Sequence, residues 1–446
     1  MTQCSSLSFG FLGRREVVSR FDGGRLSSDG GLVLLAEVDR RSGLTQRLAS
    51  CLRDRRQQAK VRQATVDLVR QRVYQIGCGY EDCNDADTLA ADPMLKVACG
   101  RDPEDGRDLA SQPTLSRFEN AVSPTELYRM SEAFIDWFIE GHPQPPQEIV
   151  LDLDATDDPT HGQQELAFFH GYYDEYCYLP MLVFAQADGE PHQLVAAVLR
   201  PGNVHAGRGS VALLKRIVGR LRVAWPEVRI VVRGDSGEAL PEVYDWCEGD
   251  GQVDYVIGLP RNSRLLGLAE PFLQAAREEC RRTEAKARHC HDLSYAAESW
   301  AHERRVAVKA EVTAKGDNPR FVVTSRDDLT AEDLYDFYAD RGDVENRIKE
   351  LKNDLHADRT SCHRFLANQF RLLLHAAAYL LLTMLRRALA GTELASAQAC
   401  TLQLRLVKVG VRVEQTARRV WLHLATSYPL AHLWTLVGAR LRAGPD

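Results

Sequence analysis

The stretch EIVLDLDATDDP, residues 148–159, is the part of the sequence that most limits the fold. It follows the proline-rich linker GHPQPPQ, residues 141–147, and its apolar run is interrupted by Asp152 and Asp154. This pattern predicts a β-strand, and side chains two residues apart in a strand point to the same face. Asp152 and Asp154 are therefore expected to lie together on one face of a sheet.

Downstream of that strand, helix and strand patterns alternate along the chain. The segments YCYLPMLVFAQ (176–186) and HQLVAAVLRPG (192–202) flank Asp188-Gly189-Glu190, which is a hairpin signal. The sequence next predicts, in order, an amphipathic helix at about 209–224, the strand RIVVRGDSG (229–237), a helix at about 238–248 and the strand DYVIGLP (254–260). This order predicts a mixed α/β layer fold of the ribonuclease H type.

Residues 330–355 are predicted to form one long helix, so their side chains can be placed by angle. At about 100° per residue, one narrow stripe bordering the apolar face holds Tyr338, Arg341, Glu345 and Lys352. Glu350 falls on the far side and is a poor competitor for Glu345. The other interpretation is that Arg341 and Glu345 form an ordinary surface pair four residues apart and Lys352 is solvated.

Such a fold brings three acidic positions together. One lies in the first strand, Asp235 follows the strand RIVVRG at the kind of strand end where α/β sheets bind ligands, and Glu345 lies on the helix. Converging carboxylates repel one another unless cations neutralise them. Oxygen ligands without His or Cys suit Mg²⁺, for which Mn²⁺ can substitute, and two such ions would support phosphodiester chemistry.

The helix carries a recognisable motif, since Tyr338-x2-Arg341-x3-Glu345-x6-Lys352 matches the Y-R-E-K signature of a large class of insertion-sequence DDE transposases. The blocks FDGGRLSSDGG, SQPTLSRFEN, LDLDATDDPTHG and VVRGDSG resemble the Insertion Sequence 1380 group within that class, over nearly the whole chain. The resemblance implies metal-dependent cleavage at the ends of a mobile element and strand transfer into target DNA, which is cut-and-paste transposition.

The resemblance also implies the catalytic residues. Asp154 matches the first acid, because a small residue and Thr follow it, and Asp152 is the runner-up. Asp235 matches the second acid and Glu345 the third. Asp154, Asp235 and Glu345 would then be both catalytic and metal-binding.

A second group of residues is implied to bind DNA. Tyr338, Arg341 and Lys352 match residues that contact phosphate, where Arg offers a bidentate fork and Lys a point charge. In some relatives an insertion Trp stacks on a flipped base, and Trp300 lies in a suitable segment, although an isolated Trp is more often part of a core. The implied partners are double-stranded DNA, as terminal inverted repeats and target, and a second copy of the chain on paired ends.

The chain is predicted to have four parts. Helix starts at Ser111 and Ser123, each next to a proline, are among the signals for the first of them. The parts are a mostly helical N-terminal DNA-binding and dimerisation region (1–147), a ribonuclease H-like catalytic core (148–260 and 320–392), a β-rich insertion (261–319) and a C-terminal basic β-ribbon and tail (393–446).

Composition is that of a folded globular protein, with 446 residues, 44% hydrophobic, 26% charged and a net charge of -6. Basic residues concentrate in 40–74, which favours DNA contact there, although solvated helix faces would give the same pattern. Eleven scattered cysteines and no secretory signal indicate reduced thiols in a chain that is not exported, and the resemblance implies a bacterial cytoplasm. The apolar run 372–385 is interrupted by His375 and is expected to be too short and too polar for a membrane. The sequence contains no GxxxxGK[ST] loop, so no nucleotide cofactor is predicted.

Three alternatives remain open at this stage. A carbohydrate or phosphate hydrolase with paired carboxylates would leave the basic ends of the chain and the Arg/Lys stripe unexplained. A ribonuclease H-like metal nuclease would cut nucleic acid without joining it, and the Y-R-E-K stripe argues against this. A DNA-binding protein derived from a transposase would have lost catalysis, and the presence of Asp154, Asp235 and Glu345 argues against that.

Overall fold

The computed structural model describes residues 6–443, apart from the side chain of Asp250. These residues form two compact units. The first comprises the chain up to Val122, Asn353–His356 and the chain from Ala377 onward. The second comprises Ser123–Lys352 and Ala357–Ala376, so it contains every candidate acid.

Strands and helices both occur throughout the described residues, and the fold is mixed α/β as the sequence predicts. The strands are β1 (Leu7–Leu12), β2 (Arg15–Ser19), β3 (Leu26–Ser27), β4 (Glu148–Ala155), β5 (Asp158–Pro159), β6 (Phe168–His170), β7 (Glu175–Tyr178), β8 (Met181–Ala187), β9 (Gln193–Val198), β10 (Arg229–Gly234), β11 (Asp254–Leu259), β12 (Ala287–Tyr295), β13 (Arg304–Thr313), β14 (Gly316–Asp317), β15 (Arg320–Thr324), β16 (Val411–Gln415) and β17 (Val420–Leu424). The helices are α1 (Leu32–Ser42), α2 (Leu44–Ser50), α3 (Thr65–Gly77), α4 (Ala86–Leu89), α5 (Pro93–Ala98), α6 (Gln112–Asn120), α7 (Pro124–Glu140), α8 (Ser210–Ala224), α9 (Pro241–Trp246), α10 (Ser263–Thr283), α11 (Ala331–Ala339), α12 (Gly342–Lys349), α13 (Phe365–Arg387), α14 (Ala399–Leu402) and α15 (Ala431–Ala443).

The second unit is built on one large sheet with the strand order β12-β13-β15-β11-β10-β4-β8-β9. Strands β4, β10 and β11 are parallel, and β8, β9, β15, β13 and β12 are added antiparallel. The register pairs Leu153 of β4 with Gly234 of β10. Asp154 and Asp235, the next residue of each strand path, therefore emerge side by side at the carboxyl end of the sheet.

The two faces of β4 have different environments. Ile149, Leu151 and Leu153 are fully buried in the main core, which also contains residues of α8 such as Leu214 and Ile217. Burial of each such side chain contributes about 1.5–3 kcal/mol, which fixes the register of the strand. Because side chains alternate, the acidic residues between them are directed to the opposite face, as the sequence predicts.

Helices α6 and α7 begin where the sequence signals place them. Ser111 is the N-cap residue of α6, and Ser123 forms a capping box with Glu126 at the start of α7. The Ser123 backbone N–H donates to the Glu126 carboxylate at 2.8 Å, which satisfies a helix-end group. The boundary between the two compact units falls between these helices, at Val122 and Ser123, whereas the sequence places a domain boundary at 147.

The prediction of one continuous helix over residues 330–355 is wrong, because the segment is interrupted near its middle. The structure has two helices there, α11 and α12, followed by a π-helical turn, Glu350–Asp354. At the junction the Arg341 backbone N–H donates to the Tyr338 carbonyl at 3.2 Å, which tightens the turn, and Gly342 has low helix propensity. Angles computed for a continuous helix therefore do not hold beyond Arg341.

One further segment differs in detail from the sequence expectation. The predicted ribbon 402–424 begins only at β16, because α14 and a π-helical turn occupy Ala399–Leu402 and Gln403–Val407. Residues 261–319, the predicted insertion, contain the long helix α10 and then the strands β12, β13 and β14, which continue the central sheet beyond β15.

Helix α13 is long and apolar enough to cross a membrane, so the expectation that this stretch is too short and too polar is wrong by length and composition. However, 89% of its most apolar window is buried inside the protein, which is typical of a core helix. None of the described cysteines forms a disulfide, as the sequence predicts.

Candidate functional site

Asp154 and Asp235 lie at the carboxyl ends of the adjacent parallel strands β4 and β10. The Asp235 carboxylate accepts a hydrogen bond from the Gly237 backbone N–H at 2.7 Å, which holds the turn after β10. Glu345 projects from α12 with about half of its side chain exposed. We call these three carboxylates, Asp154, Asp235 and Glu345, the acid edge.

Arg341 connects two members of the acid edge. Its guanidinium pairs with the Asp154 carboxylate at 2.8 Å and with the Glu345 carboxylate at 2.8 Å. The side chain is buried, and within the described residues its Nε has no hydrogen-bond partner. The pair four residues apart therefore exists, but it is a buried contact shared with Asp154, not an ordinary surface pair.

The electrostatics of Asp154 are those of a crowded acid. Burial raises the pKa of its carboxyl, the Arg341 charge lowers it, and the carboxylates of Asp235 and Glu345 raise it further, to about 7. One guanidinium does not fully offset burial and like charge. The site therefore has an unmet demand for positive charge.

Asp152 has a different environment, although it lies on the same face of β4. Arg233 donates to both of its carboxylate oxygens, at 2.6 and 2.9 Å, and His192 contacts it at 3.1 Å. The other ring nitrogen of His192 contacts Asp343 of α12 at 3.0 Å. We call these four residues, Asp152, Arg233, His192 and Asp343, the buried ion-pair cluster.

The partners of Asp152 change its pKa in the opposite direction. Burial raises the pKa of its carboxyl, but hydrogen bonds from His192 and Arg233 outweigh burial and lower the pKa below its usual value. Burial lowers the pKa of His192, and its bonds to Asp152 and Asp343 raise it above its usual value. Sequence reasoning missed Arg233 and His192, and the available signal was a charged residue inside the apolar strand RIVVRG.

Tyr338 reaches the acid edge through a close approach to the sheet. Its hydroxyl occupies the position that a Cβ atom at Gly258 of β11 would take, so only glycine leaves room for it. Burial raises the pKa of Tyr338, the Arg341 charge lowers it, and the Asp235 charge raises it again. Tyr338, Arg341 and the acid edge are thus brought together.

Lys352 lies beside the chain segment that follows Asp154. Its ammonium donates to the Asp157 carbonyl at 2.7 Å and to the Thr156 hydroxyl at 3.1 Å, and it pairs with the Asp157 carboxylate at 3.0 Å. Glu350, in contrast, is buried and pairs with Arg347 at 3.4 Å.

Trp300 is partly buried against the main core. Its ring meets the rings of Tyr244 and Tyr295 edge-on, with centroids 5.3 and 5.4 Å away, and the Arg304 guanidinium lies 5.2 Å from its centroid. These contacts engage several sides of the indole.

A buried carboxyl also lies behind Asp235. Burial raises the pKa of Glu238, the Ser210 hydroxyl and the Arg200 charge lower it, and the net value is about 7. The Ser210 hydroxyl donates to one Glu238 oxygen, and the other has no partner among the described residues.

The acid edge fits a divalent metal ion by its chemistry, because its donors are carboxylate oxygens and the like charges of Asp235 and Glu345 add to burial in raising the pKa of Asp154. Its arrangement is not that of a formed site, since among residues 6–443 no three His, Cys, Asp or Glu side chains are grouped closely enough to hold an ion. Cys280, His289, Cys290 and His291 also form no such group; the last three alternate in direction along β12.

The acid edge lies at the carboxyl ends of two adjacent parallel strands, which is where α/β sheets bind ligands. The family described as Transposase DDE domain group 1 has a model that matches residues 9–445, and the chain belongs to this family. It is therefore a DDE transposase, an enzyme that acts on DNA, and its family generally uses divalent metal ions. A search of curated proteins finds no match to the chain.

Proposed function

We propose that this transposase cleaves DNA at the ends of a mobile element and joins the released ends to target DNA, by the cut-and-paste route. Asp154, Asp235 and Glu345 are the catalytic acids of that reaction, on a core of the ribonuclease H type. The Y-R-E-K motif and the flanking blocks support the proposal that the chain resembles the Insertion Sequence 1380 group.

The contrast between Asp154 and Asp152 carries the proposal. Asp152 is neutralised by Arg233 and His192 and is fully buried, so no ligand is needed to balance its charge. Asp154 is crowded by Asp235 and Glu345, and its pKa of about 7 favours added positive charge. A perturbed carboxyl next to a strand end supports a catalytic role, and it supports Asp154 as the first acid.

The same three acids would hold the metal, Mg²⁺ or Mn²⁺ and up to two ions. A bound divalent ion supplies Lewis acidity at the scissile phosphate and lowers the pKa of an attacking water or hydroxyl. Arg341 now pairs with both Asp154 and Glu345, so loading requires that its guanidinium leave at least one of them. The DNA phosphate is the natural second partner for Arg341, because guanidinium binds phosphate in a bidentate manner.

Other DNA contacts follow from position and charge. Tyr338 and Lys352 lie on either side of the acid edge and would contact phosphate near the cut. Within the first unit, the exposed basic loop that includes Arg56, Lys60 and Arg62 and the exposed Arg412 on β16 suit the duplex away from the cut. We also propose a DNA contact for Trp300 of the insertion.

Two ends must be cut together, so the working form is proposed to be a homodimer on paired terminal repeats, acting in the bacterial cytoplasm. Light scattering of the chain with and without end DNA tests this, with two chains per pair of ends as the expected mass. A complex of one chain with one unpaired end would contradict it.

The decisive experiment incubates the purified chain with DNA carrying the element's own ends, in Mg²⁺ or in EDTA. We expect new 3′-hydroxyl ends in Mg²⁺ and none in EDTA, and loss of cleavage in Glu345→Gln. Glu332→Gln is the matched control, because Glu332 is an exposed glutamate on the preceding helix. Cleavage that persists in Glu345→Gln, or in EDTA, would refute the proposal.

Two other functions give different results in the same assay. A nuclease of the same core would cut but never join the ends to target DNA. A DNA-binding protein derived from a transposase would bind the ends in either buffer without cutting, although the acid edge is complete.

A further inference from the structure

The second unit carries a small sheet of aromatic residues between the first two core strands. Strands β6 and β7 form a hairpin, and β7 also pairs with β5. The Asp174 backbone N–H donates to the His170 carbonyl at 2.9 Å and closes the turn. We call residues 168–178 the aromatic hairpin; its aromatic rings outside the core are those of Phe168, Phe169, Tyr172, Tyr173 and Tyr176.

Several of these rings face solvent. The cross-strand pair Phe169 and Tyr176 is 49% and 62% exposed, with ring centroids 5.7 Å apart, and Tyr172 at the turn is 84% exposed. Tyr172 meets Tyr173 edge-on at 5.0 Å. Contiguous exposed apolar surface of this kind marks an interaction site more often than chance exposure of single residues.

The aromatic hairpin lies next to the acid edge. Strand β5 begins four residues after Asp154, and Thr160, just beyond it, donates from its backbone to the Tyr176 carbonyl at 2.9 Å. Burial, and then the charges of Asp157, Asp154 and Asp235, raise the pKa of Tyr173. A DNA strand whose phosphate reaches the acid edge would therefore have its neighbouring nucleotides near these rings.

The chemistry of the surface favours a base as its occupant over a phosphate. Every base offers a π-face, and stacking on an aromatic ring is worth about 1–3 kcal/mol. The carboxylates of Asp174 and Glu175 lie within the same hairpin and would repel a phosphate backbone laid along it. In a duplex the base faces are covered by neighbouring pairs, so only an unpaired or flipped base can use these rings.

Trp300, the sequence candidate for base stacking, is less available. Its ring already contacts Tyr244, Tyr295 and Arg304. Tyr172 and Tyr176 have the larger exposed faces and the shorter chain connection to Asp154.

We propose that the aromatic hairpin binds an unpaired base of the DNA end by stacking, chiefly on Tyr172 and Tyr176, while the adjoining phosphate lies at the acid edge. This inference rests on the proposed function, since it assigns the base contacts of the same site. Its consequence is a preference for ends in which the nucleotides at the cut are already unpaired.

The test measures binding in EDTA, so that no chemistry is required. Fluorescence anisotropy compares the full chain on end DNA whose nucleotides flanking the cut are paired, unpaired, or unpaired with one abasic position. The variants are Tyr172→Leu and Tyr176→Leu, which remove a ring, and Tyr172→Phe and Tyr176→Phe, which keep it. Tyr128→Leu is the matched control, because Tyr128 is an exposed tyrosine on α7, away from the hairpin sequence.

We expect wild type to bind the unpaired end more tightly than the paired end, and each Leu variant to lose about tenfold on the unpaired end only. The Phe variants and Tyr128→Leu should retain the preference. On the abasic end wild type should bind no better than the Leu variants, because the stacked base is missing.

Three results would overturn the inference. The Leu variants could keep the preference for unpaired ends, or they could bind paired and unpaired ends more weakly by the same factor. They could also change only the oligomeric mass of the protein in solution, which would make the hairpin a contact with a second copy. The proposed function fails separately, if wild type with Mg²⁺ cuts no end.

Discussion

The acid edge and the buried ion-pair cluster each include one aspartate from the same face of β4, and these two aspartates have opposite electrostatic environments. Asp152 and Asp154 are the same residue type, two positions apart on β4. Asp152 receives two hydrogen bonds from Arg233 and contacts His192, and its pKa falls. Asp154 shares one guanidinium with Glu345, and its pKa rises to about 7.

The difference teaches that burial by itself does not distinguish a structural carboxylate from a catalytic one. What matters is whether the surrounding protein supplies enough positive charge and enough hydrogen-bond donors. The buried ion-pair cluster is satisfied, and through His192 and Asp343 it joins the sheet to α12, the helix that carries Glu345. The acid edge is the part that we propose is completed by a metal ion.

The largest expected effect comes from removing the acid that the protein leaves unbalanced. Asp154→Asn should lower end cleavage by about 100-fold or more, because charge stabilisation at the reacting phosphate is lost. Its far-ultraviolet circular dichroism and thermal unfolding should remain those of a folded chain. Cleavage near the wild-type rate in Asp154→Asn would place the first acid elsewhere.

Removing the balanced acid should act on stability instead. Asp152→Asn leaves Arg233 buried without its carboxylate and should lower the free energy of unfolding by about 3–5 kcal/mol in urea titrations. The double variant Asp152→Leu with Arg233→Met should recover part of that loss, since no charge stays unpaired. An Asp152→Asn chain that is as stable as wild type but inactive would exchange the roles of the two acids.

The contact between Tyr338 and Gly258 provides a smaller and more local test of the acid edge. Gly258→Ala should cost about 1–3 kcal/mol, because its Cβ meets the Tyr338 hydroxyl. In a Tyr338→Phe background the nearest remaining ring atom is 3.2 Å away, so the cost should shrink. Gly219→Ala, with no atom within 4 Å in α8, is the control and should not destabilise. Equal costs in both backgrounds would contradict the assigned contact.

An effect that is seen only as a change with pH concerns Glu238, which tests whether a buried carboxyl near the acid edge lacks a full partner. Its folded pKa of about 7 lies above the ordinary 4.5, so the folded state binds the proton more tightly. The resulting stability is fully present below about pH 4.5 and is lost as the pH rises through about 7, by about 3 kcal/mol. Glu238→Gln cannot ionise, so its melting temperature should gain on wild type between pH 5 and pH 8, measured in EDTA. A difference that does not vary with pH would show that Glu238 has an ordinary pKa.

Much of the second unit could be predicted from local patterns. The strands at β4, β10 and β11, the β8–β9 hairpin, helix α8 and the start of α7 follow from apolar spacing, turn residues and caps, as does the start of α6 in the first unit. Helix 330–355 could not be predicted as it is, because the break at Arg341 depends on a turn that places its guanidinium against Asp154. The helical segment at 399–407 was missed because its apolar residues fit a strand pattern equally well.

The sequence by itself determined the mixed α/β order, the strand that carries Asp152 and Asp154, and the spacing of Tyr338, Arg341, Glu345 and Lys352, because these depend on neighbours close along the chain. Only the tertiary structure decided which of the two strand acids is neutralised. That choice is made by Arg233, His192 and Arg341, which arrive from three different parts of the chain. The interaction energy of two charges depends on the distance between them in space, and the spacing of residues along a strand does not give that distance.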